Sequence, residues 1–366
     1  MLSSNIFKLL LHLCKETMMK VNFKIIHLKK RFPLAISRGV RRDSYNLFVS
    51  VEKDGIVGWG EVSPGKNENA ETPEKARLEI ERLIDSGPSI FNTEELNKVS
   101  RELNIAPCAQ AGLDIAVWDW KAKAKQLPLY KLLGYAKPTV PTSVTIGINP
   151  PEVVKERVPL LLDGTGVKSL KIKLGSPDGI EADKAMYQQV IESTKDYNVN
   201  IRVDANGGWS VNDAIHMMHW IADRQADYIE QPIAEGLESE LKHLYKNRPL
   251  PIFVDESCRF ATNIHNWHEN VDGVNMKLMK CGGITEAINI IDTAKKYKLK
   301  TMIGCMSESS ISIAAGAALS GALDHIDLDS HLNLNPDPCS GAPLENGITM
   351  PTENIGHGGF IKNKFL

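Results

Sequence analysis

Lys171 and Lys173 are separated by a single residue inside the apolar run Ser169-Leu170-Lys171-Ile172-Lys173-Leu174-Gly175. Residues two apart on a strand share a face, so both ammonium groups point into one space. There each disfavours the charge of the other, and a nearby metal cation adds to the effect, so that one lysine can lose its proton near neutral pH and act as a base. A solvated edge strand with two lysines has the same spacing; the residues downstream decide between the two. Later apolar runs end in Asp204-Ala205-Asn206, Glu230-Gln231-Pro232, Asp255-Glu256-Ser257, Lys277 and Asp327-Leu328-Asp329. One acid after an apolar run is an ordinary cap or loop residue. Three in succession, converging on one mouth, repel unless a cation joins them. Carboxylate oxygens without His or Cys suit a hard divalent ion, Mg²⁺ or Mn²⁺, and not zinc. With lysines on two sides of such an ion, the chemistry is proton abstraction next to a carboxylate. The metal takes the substrate carboxylate, one lysine removes the α-proton, and Lys171 helps to stabilise the charge that collects on oxygen.

Positioning these groups needs strands whose ends meet. After Pro141, short apolar runs alternate with helical patterns, giving candidate strands at Ser143–Ile148, Ser169–Leu174, Asn200–Asp204, Ala226–Glu230, Ile252–Asp255, Gly273–Lys277, Lys300–Gly304 and His325–Leu328. Eight strands, each separated by a helix and loops, are the count for a parallel (β/α) barrel with its site at the strands' C-terminal ends. An open dinucleotide-binding sheet lacks its phosphate loop here, because Asp163-Gly164-Thr165-Gly166 precedes a strand instead of following one. Before the barrel, Val21–Ile26, Asn46–Glu52 and Ile56–Glu61 read as an antiparallel meander, with Pro33–Asp43 as a loop rich in Ser, Gly and Arg. Helical periods follow from Thr72 to Leu133. The expected organisation is thus an N-terminal extension (1–19), an α+β capping domain (20–138), a (β/α)₇₋₈ TIM-type barrel (139–335) and a Gly- and Pro-rich C-terminal segment (336–366) returning to the cap.

Composition narrows the function classes. A chain of 366 residues with 42% hydrophobic and 24% charged residues supports a sizeable core, and a net charge of -2 gives no footprint for nucleic acid or a membrane surface. Six cysteines without a C-x-x-C pair argue against a disulfide framework and a structural zinc site, and fit a reducing, cytoplasmic compartment. Met1–Met19 is apolar but short, is broken by Lys8 and His12, and has neither a basic leader nor a small-residue cleavage site. It reads as a loose extension upstream of a start at Met18 or Met19.

The combined motifs Lys171-Ile-Lys173, Asp204-Ala-Asn-Gly-Gly-Trp209, Glu230-Gln-Pro232, Asp255-Glu-Ser257, Asn275-Met-Lys277-Leu-Met-Lys-Cys-Gly-Gly283 and Asp327-Leu-Asp329 resemble the enolase superfamily, muconate lactonizing branch, and within it the dipeptide epimerases. Gln110–Asp119 through Leu127–Gly134 also resembles the family's cap-to-barrel helix. The resemblance, over about residues 20 to 362, implies one Mg²⁺ per subunit held by Asp204, Glu230 and Asp255. It implies Lys173 and Lys277 as the acid/base pair, each serving one enantiomer in a 1,1-proton transfer through an ene-diolate. Lys171 is then expected beside the substrate carboxylate with Thr145 next to it, and Asp327 and Asp329 on the free α-ammonium of a dipeptide. Cys305 and Ser307 are expected against the peptide. Lys280, three residues beyond Lys277, is expected to turn off the inward face. In relatives an arginine of the cap loop reads a distal carboxylate; Arg38 is the nearest match here, and Arg38, Arg41 and Arg42 read equally well as solvated loop charge. Many members of the family are oligomers, so a homo-oligomer fits the resemblance.

The implied activity is Mg²⁺-dependent epimerisation at the C-terminal residue of a small dipeptide. On the same scaffold, an o-succinylbenzoate synthase or muconate-type cycloisomerase is the alternative, whose substrates have no ammonium for Asp327 and Asp329 to meet. A non-catalytic metal-binding protein is the alternative of another class, and there Lys173 and Lys277 would be dispensable.

Overall fold

The computed structural model describes residues 19–365, so the reading of the extension falls, but for Met19, outside the described residues. Three antiparallel strands open the chain: β1 (Lys20–Ile36), β2 (Gly39–Lys53) and β3 (Ile56–Val62). The stretch expected to be a loop, Pro33–Asp43, is instead the far end of the β1–β2 hairpin. Leu34 pairs with Arg41 and Ile36 with Gly39, after a register shift between Lys29 and Leu34. Pro33 lies in that gap, where its missing N–H costs the ladder nothing. Its polar, glycine-containing sequence conceals a strand pair whose register is set by backbone pairing.

Helices Pro73–Asp85, Thr93–Glu102 and Pro107–Ala124 complete the cap. The first begins as its sequence dictates, with Pro73 at the opening position and Thr72 Oγ1 accepting from Lys75 N at 3.2 Å. The third is buried on both sides. On one side Gly58 and Gly60 of β3 let the backbones touch: a Cβ on Gly60 would stand 2.0 Å from the Gly112 carbonyl oxygen. On the other, Asp114 accepts from Ile284 N at 2.6 Å, Thr285 N at 3.1 Å and Thr285 Oγ1 at 2.5 Å, capping the helix Ile284–Lys296 of the neighbouring layer.

That layer belongs to eight parallel strands: β4 (Val144–Ile146), β5 (Ser169–Lys173), β6 (Asn200–Asp204), β7 (Ala226–Glu230), β8 (Ile252–Val254), β9 (Gly273–Lys277), β10 (Lys300–Gly304) and β11 (His325–Ile326). They pair in chain order, and a parallel bridge between Thr142 and Ile326 joins the two ends of the row. β5 and β9 are buried throughout, as strands covered by crossover helices must be. The barrel arrangement expected from the strand count is therefore the one found. Near the C-terminus, His357 N donates to Asp119 Oδ1 at 2.9 Å, and its Nε2 lies 2.8 Å from the Trp59 carbonyl oxygen.

Candidate active site

Alternation along the barrel strands sends Lys171, Lys173, Asp204, Glu230 and Lys277 inward. Register then sets their heights: Lys173 pairs with Asp204, and Asp204 with Glu230, so three ionisable residues sit at one level on adjacent strands. Asp255 follows directly on β8. One carboxylate oxygen each from Asp204, Glu230 and Asp255 lie within 4.8 Å of one another, and all three residues are buried.

Every charge in this group is answered by another. Lys173 Nζ donates to Asp204 Oδ2 at 2.5 Å, and Lys277 Nζ to Asp255 Oδ2 at 2.6 Å. Lys171 Nζ lies 2.7 Å from Glu230 Oε2 and 2.6 Å from Asp327 Oδ2. Asn275 Nδ2 donates to Glu230 Oε1 at 2.8 Å, and Asn206 N to Asp204 Oδ1 at 2.8 Å. Although burial works to lower it, Asp327, Glu230 and Asp204 hold Lys171 well above the usual lysine range. Asp255 overcomes the same burial cost to raise Lys277. For Lys171 and Lys277, carboxylates and not like charges are the nearest neighbours, and that decides the sign.

The carboxylates carry the complementary shifts. Against burial, Lys173 and Lys171 hold Asp204 below the ordinary range, and Lys277 and Lys280 do the same for Asp255. Glu230 goes the other way: burial, and then the charge of Asp204, push it up to about 8. A cradle that would keep a proton on one member rather than bear three charges fits a divalent cation in that proton's place. Its all-oxygen donors suit Mg²⁺.

Lys280 departs from expectation. It is not on a strand but in the one-turn helix Leu278–Cys281, and from there its Nζ returns to Asp255 Oδ1 at 2.6 Å, to the Asp255 carbonyl and to Asn275 O at 3.0 Å. A register argument valid for a strand fails once the chain turns helical after Lys277. The residue that follows Asp255 was also missed. Glu256 Oε1 accepts from Arg38 Nη2 at 2.5 Å, while Arg38 Nη1 donates to Asn206 O at 2.6 Å. Arg38 thus ties the hairpin tip to the rim above β6 and β8.

Beside the triad lies a cavity lined by Thr145, Lys173, Cys305, Asp327 and Asp329, among others. Asp329 Oδ2 accepts from Thr145 N at 2.6 Å, closing the mouth between the first and last strands. Burial, and then the charge of Asp327, push Asp329 up to about 6. Cys305 Sγ lies 3.3 Å from the Asp327 carbonyl oxygen, and burial pushes its thiol well up. Ser307 is buried, its carbonyl accepting from Asn46 Nδ2 of the cap at 2.7 Å. The arrangement offers a cation cradle between two ammonium groups and, beside it, a slot with two acids at one end.

Known proteins share this sequence and shape. Residues 20–134 match the mandelate racemase / muconate lactonizing enzyme N-terminal domain, and residues 154–360 the enolase C-terminal domain-like family. A hydrophobic dipeptide epimerase of Flavobacteria bacterium (strain MS024-2A) is 64% identical over 347 residues, covering 95% of this chain and 99% of that protein. The structure of a dipeptide epimerase from Enterococcus faecalis V583, complexed with Mg and the dipeptide L-Leu-L-Tyr, superposes with a TM-score of 0.85 at 32% identity, over 93% of this chain and 98% of that one. A substrate-liganded L-Ala-D/L-Glu epimerase from Bacillus subtilis gives a TM-score of 0.86 at 26% identity, over 93% and 98%.

Proposed function

The chain belongs to the enolase superfamily, and from that premise we propose that it is a Mg²⁺-dependent dipeptide epimerase that inverts the α-carbon of the C-terminal residue by proton transfer between Lys173 and Lys277. One observation carries the reading. β5 and β9 stand four places apart in a closed row of eight, so Lys173 and Lys277 face each other across the barrel with the three carboxylates on the strands between. With one lysine as the neutral amine and the other as the ammonium, an α-carbon held between them can lose its proton to the amine and regain one from the ammonium on the opposite side.

A Mg²⁺ ion held by Asp204, Glu230 and Asp255 supplies, when bound, charge neutralisation for a substrate carboxylate and for the negative charge that grows as the α-proton leaves. The chain's own residues do the rest. Lys171 is locked on Glu230 and Asp327, a fixed positive charge at the carboxylate end. Asp327 and Asp329 offer a dipeptide's α-ammonium two carboxylates, the distinction from a cycloisomerase. Lys173 and Lys277 are already positioned by their carboxylate partners, so neither needs to search for the α-carbon.

Incubation with Mg²⁺ and a dipeptide set in D₂O tests this. Deuterium at the C-terminal α-carbon, with both epimers appearing, is the expected result; no deuterium at any α-carbon would overturn it.

A further inference from the structure

The cavity beside the triad has two signs of charge. Asp327 and Asp329 stand at one end, whereas Lys30, Arg31 and Arg157 reach it from β1 and from the helix Pro151–Leu162. Both arginines lie against the ring of Phe32: the guanidinium carbon of Arg157 is 4.7 Å from the ring centre and that of Arg31 4.9 Å. Lys30 has no such partner. Neither a hydrogen bond nor an ion pair within 4.0 Å joins its ammonium to any described residue, although its backbone is fixed by an antiparallel bridge to Leu334. Burial lowers its pKa, offset only in part by Cys305 and Asp329. A partly buried ammonium without a counter-ion is costly, and any anion brought to it gains what the protein has left unmet.

We propose that Lys30 determines specificity for the amino-terminal side chain of the dipeptide, favouring acidic side chains, admitting neutral ones and rejecting lysine and arginine. The inference rests on the dipeptide reading above. With the α-ammonium at Asp327 and Asp329, the first side chain leaves a carbon one bond away and enters the same cavity, along Phe32 and Leu34. A lysine or arginine there sets a second cation against an ammonium that already lacks an anion. A glutamate supplies the missing anion. Like charges forced together are a stronger discriminator than any apolar contact the slot provides.

The test uses the full chain with Mg²⁺ and three substrates, L-Glu-L-Leu, L-Gln-L-Leu and L-Lys-L-Leu, with L-Ala-L-Leu as reference. The readout is kcat/KM for deuterium uptake at the leucine α-carbon. We expect Glu over Gln over Lys, about tenfold per step. Lys30→Met and Lys30→Gln should each shrink the Glu-to-Lys ratio by about tenfold or more. Equal turnover of the Gln and Lys dipeptides by the unaltered protein would overturn the proposal, as would a ratio unchanged in both variants. In those two cases L-Ala-L-Leu still epimerises and the dipeptide reading stands. Deuterium uptake into none of the four overturns that reading and the proposal with it.

Discussion

Lys173 and Lys277 each hold a different member of one carboxylate triad, Asp204 Oδ2 at 2.5 Å and Asp255 Oδ2 at 2.6 Å, from strands on opposite walls of the barrel. The cradle is therefore flanked, not capped, by its amines. That placement keeps the two lysines on separate carboxylates, and it makes them separable by mutation.

Asp329→Asn removes one of two charges available to a dipeptide ammonium while keeping a side chain that can accept from Thr145 N. A fall in kcat/KM of about 10- to 100-fold is expected, mostly in KM. Steady-state kinetics would show it. An N-acetylated dipeptide should lose the same factor with the unaltered protein.

The pH profile follows from the same residue. Burial and Asp327 push Asp329 up to about 6, so it is neutral below that value and charged above it. A peptide α-ammonium is charged below about 8. Productive pairing needs both charges, so 1/KM should peak between about 6 and about 8, fall as pH drops through 6 and fall again above 8. Asp329→Asn should abolish the acidic limb only.

Metal binding is measurable without turnover. Asp204→Asn and Asp255→Asn each remove one anionic donor from a buried three-acid cradle. Calorimetric titration with Mg²⁺ should show affinity reduced by about tenfold or more in each. Chelation should abolish epimerisation by the unaltered protein and added Mg²⁺ restore it.

Much of this site was legible in the sequence because strand alternation and strand-end position are local properties. Lys171-x-Lys173 and the acids at Asp204, Glu230 and Asp255 declare themselves as soon as the strands are placed. Lys280 was not legible: its return to Asp255 depends on a helical turn starting immediately after Lys277. Nor was the hairpin through Pro33–Asp43, since its polar residues carry no alternation and its register comes from backbone pairing. The Arg38–Glu256 pair joins residues 218 apart, and only the closed fold brings them together.

The cap's grip on the barrel gives a stability prediction. Gly60→Ala would put a methyl group 2.0 Å from the Gly112 carbonyl oxygen. Strand β3 must then move off the helix Pro107–Ala124, at a cost of about 1 to 3 kcal/mol. Thermal melting should shift down by several degrees.

The account turns on two bases of opposite facial preference. The direct measurement is α-proton exchange in D₂O with Mg²⁺, for Lys173→Ala and Lys277→Ala separately, starting from each pure epimer of one dipeptide. Each variant should exchange the α-proton of one epimer only, the two variants should choose opposite epimers, and interconversion should fall by about 10² to 10⁴ in both. Interconversion near the original rate in either variant, or the same epimer exchanged by both, would contradict it.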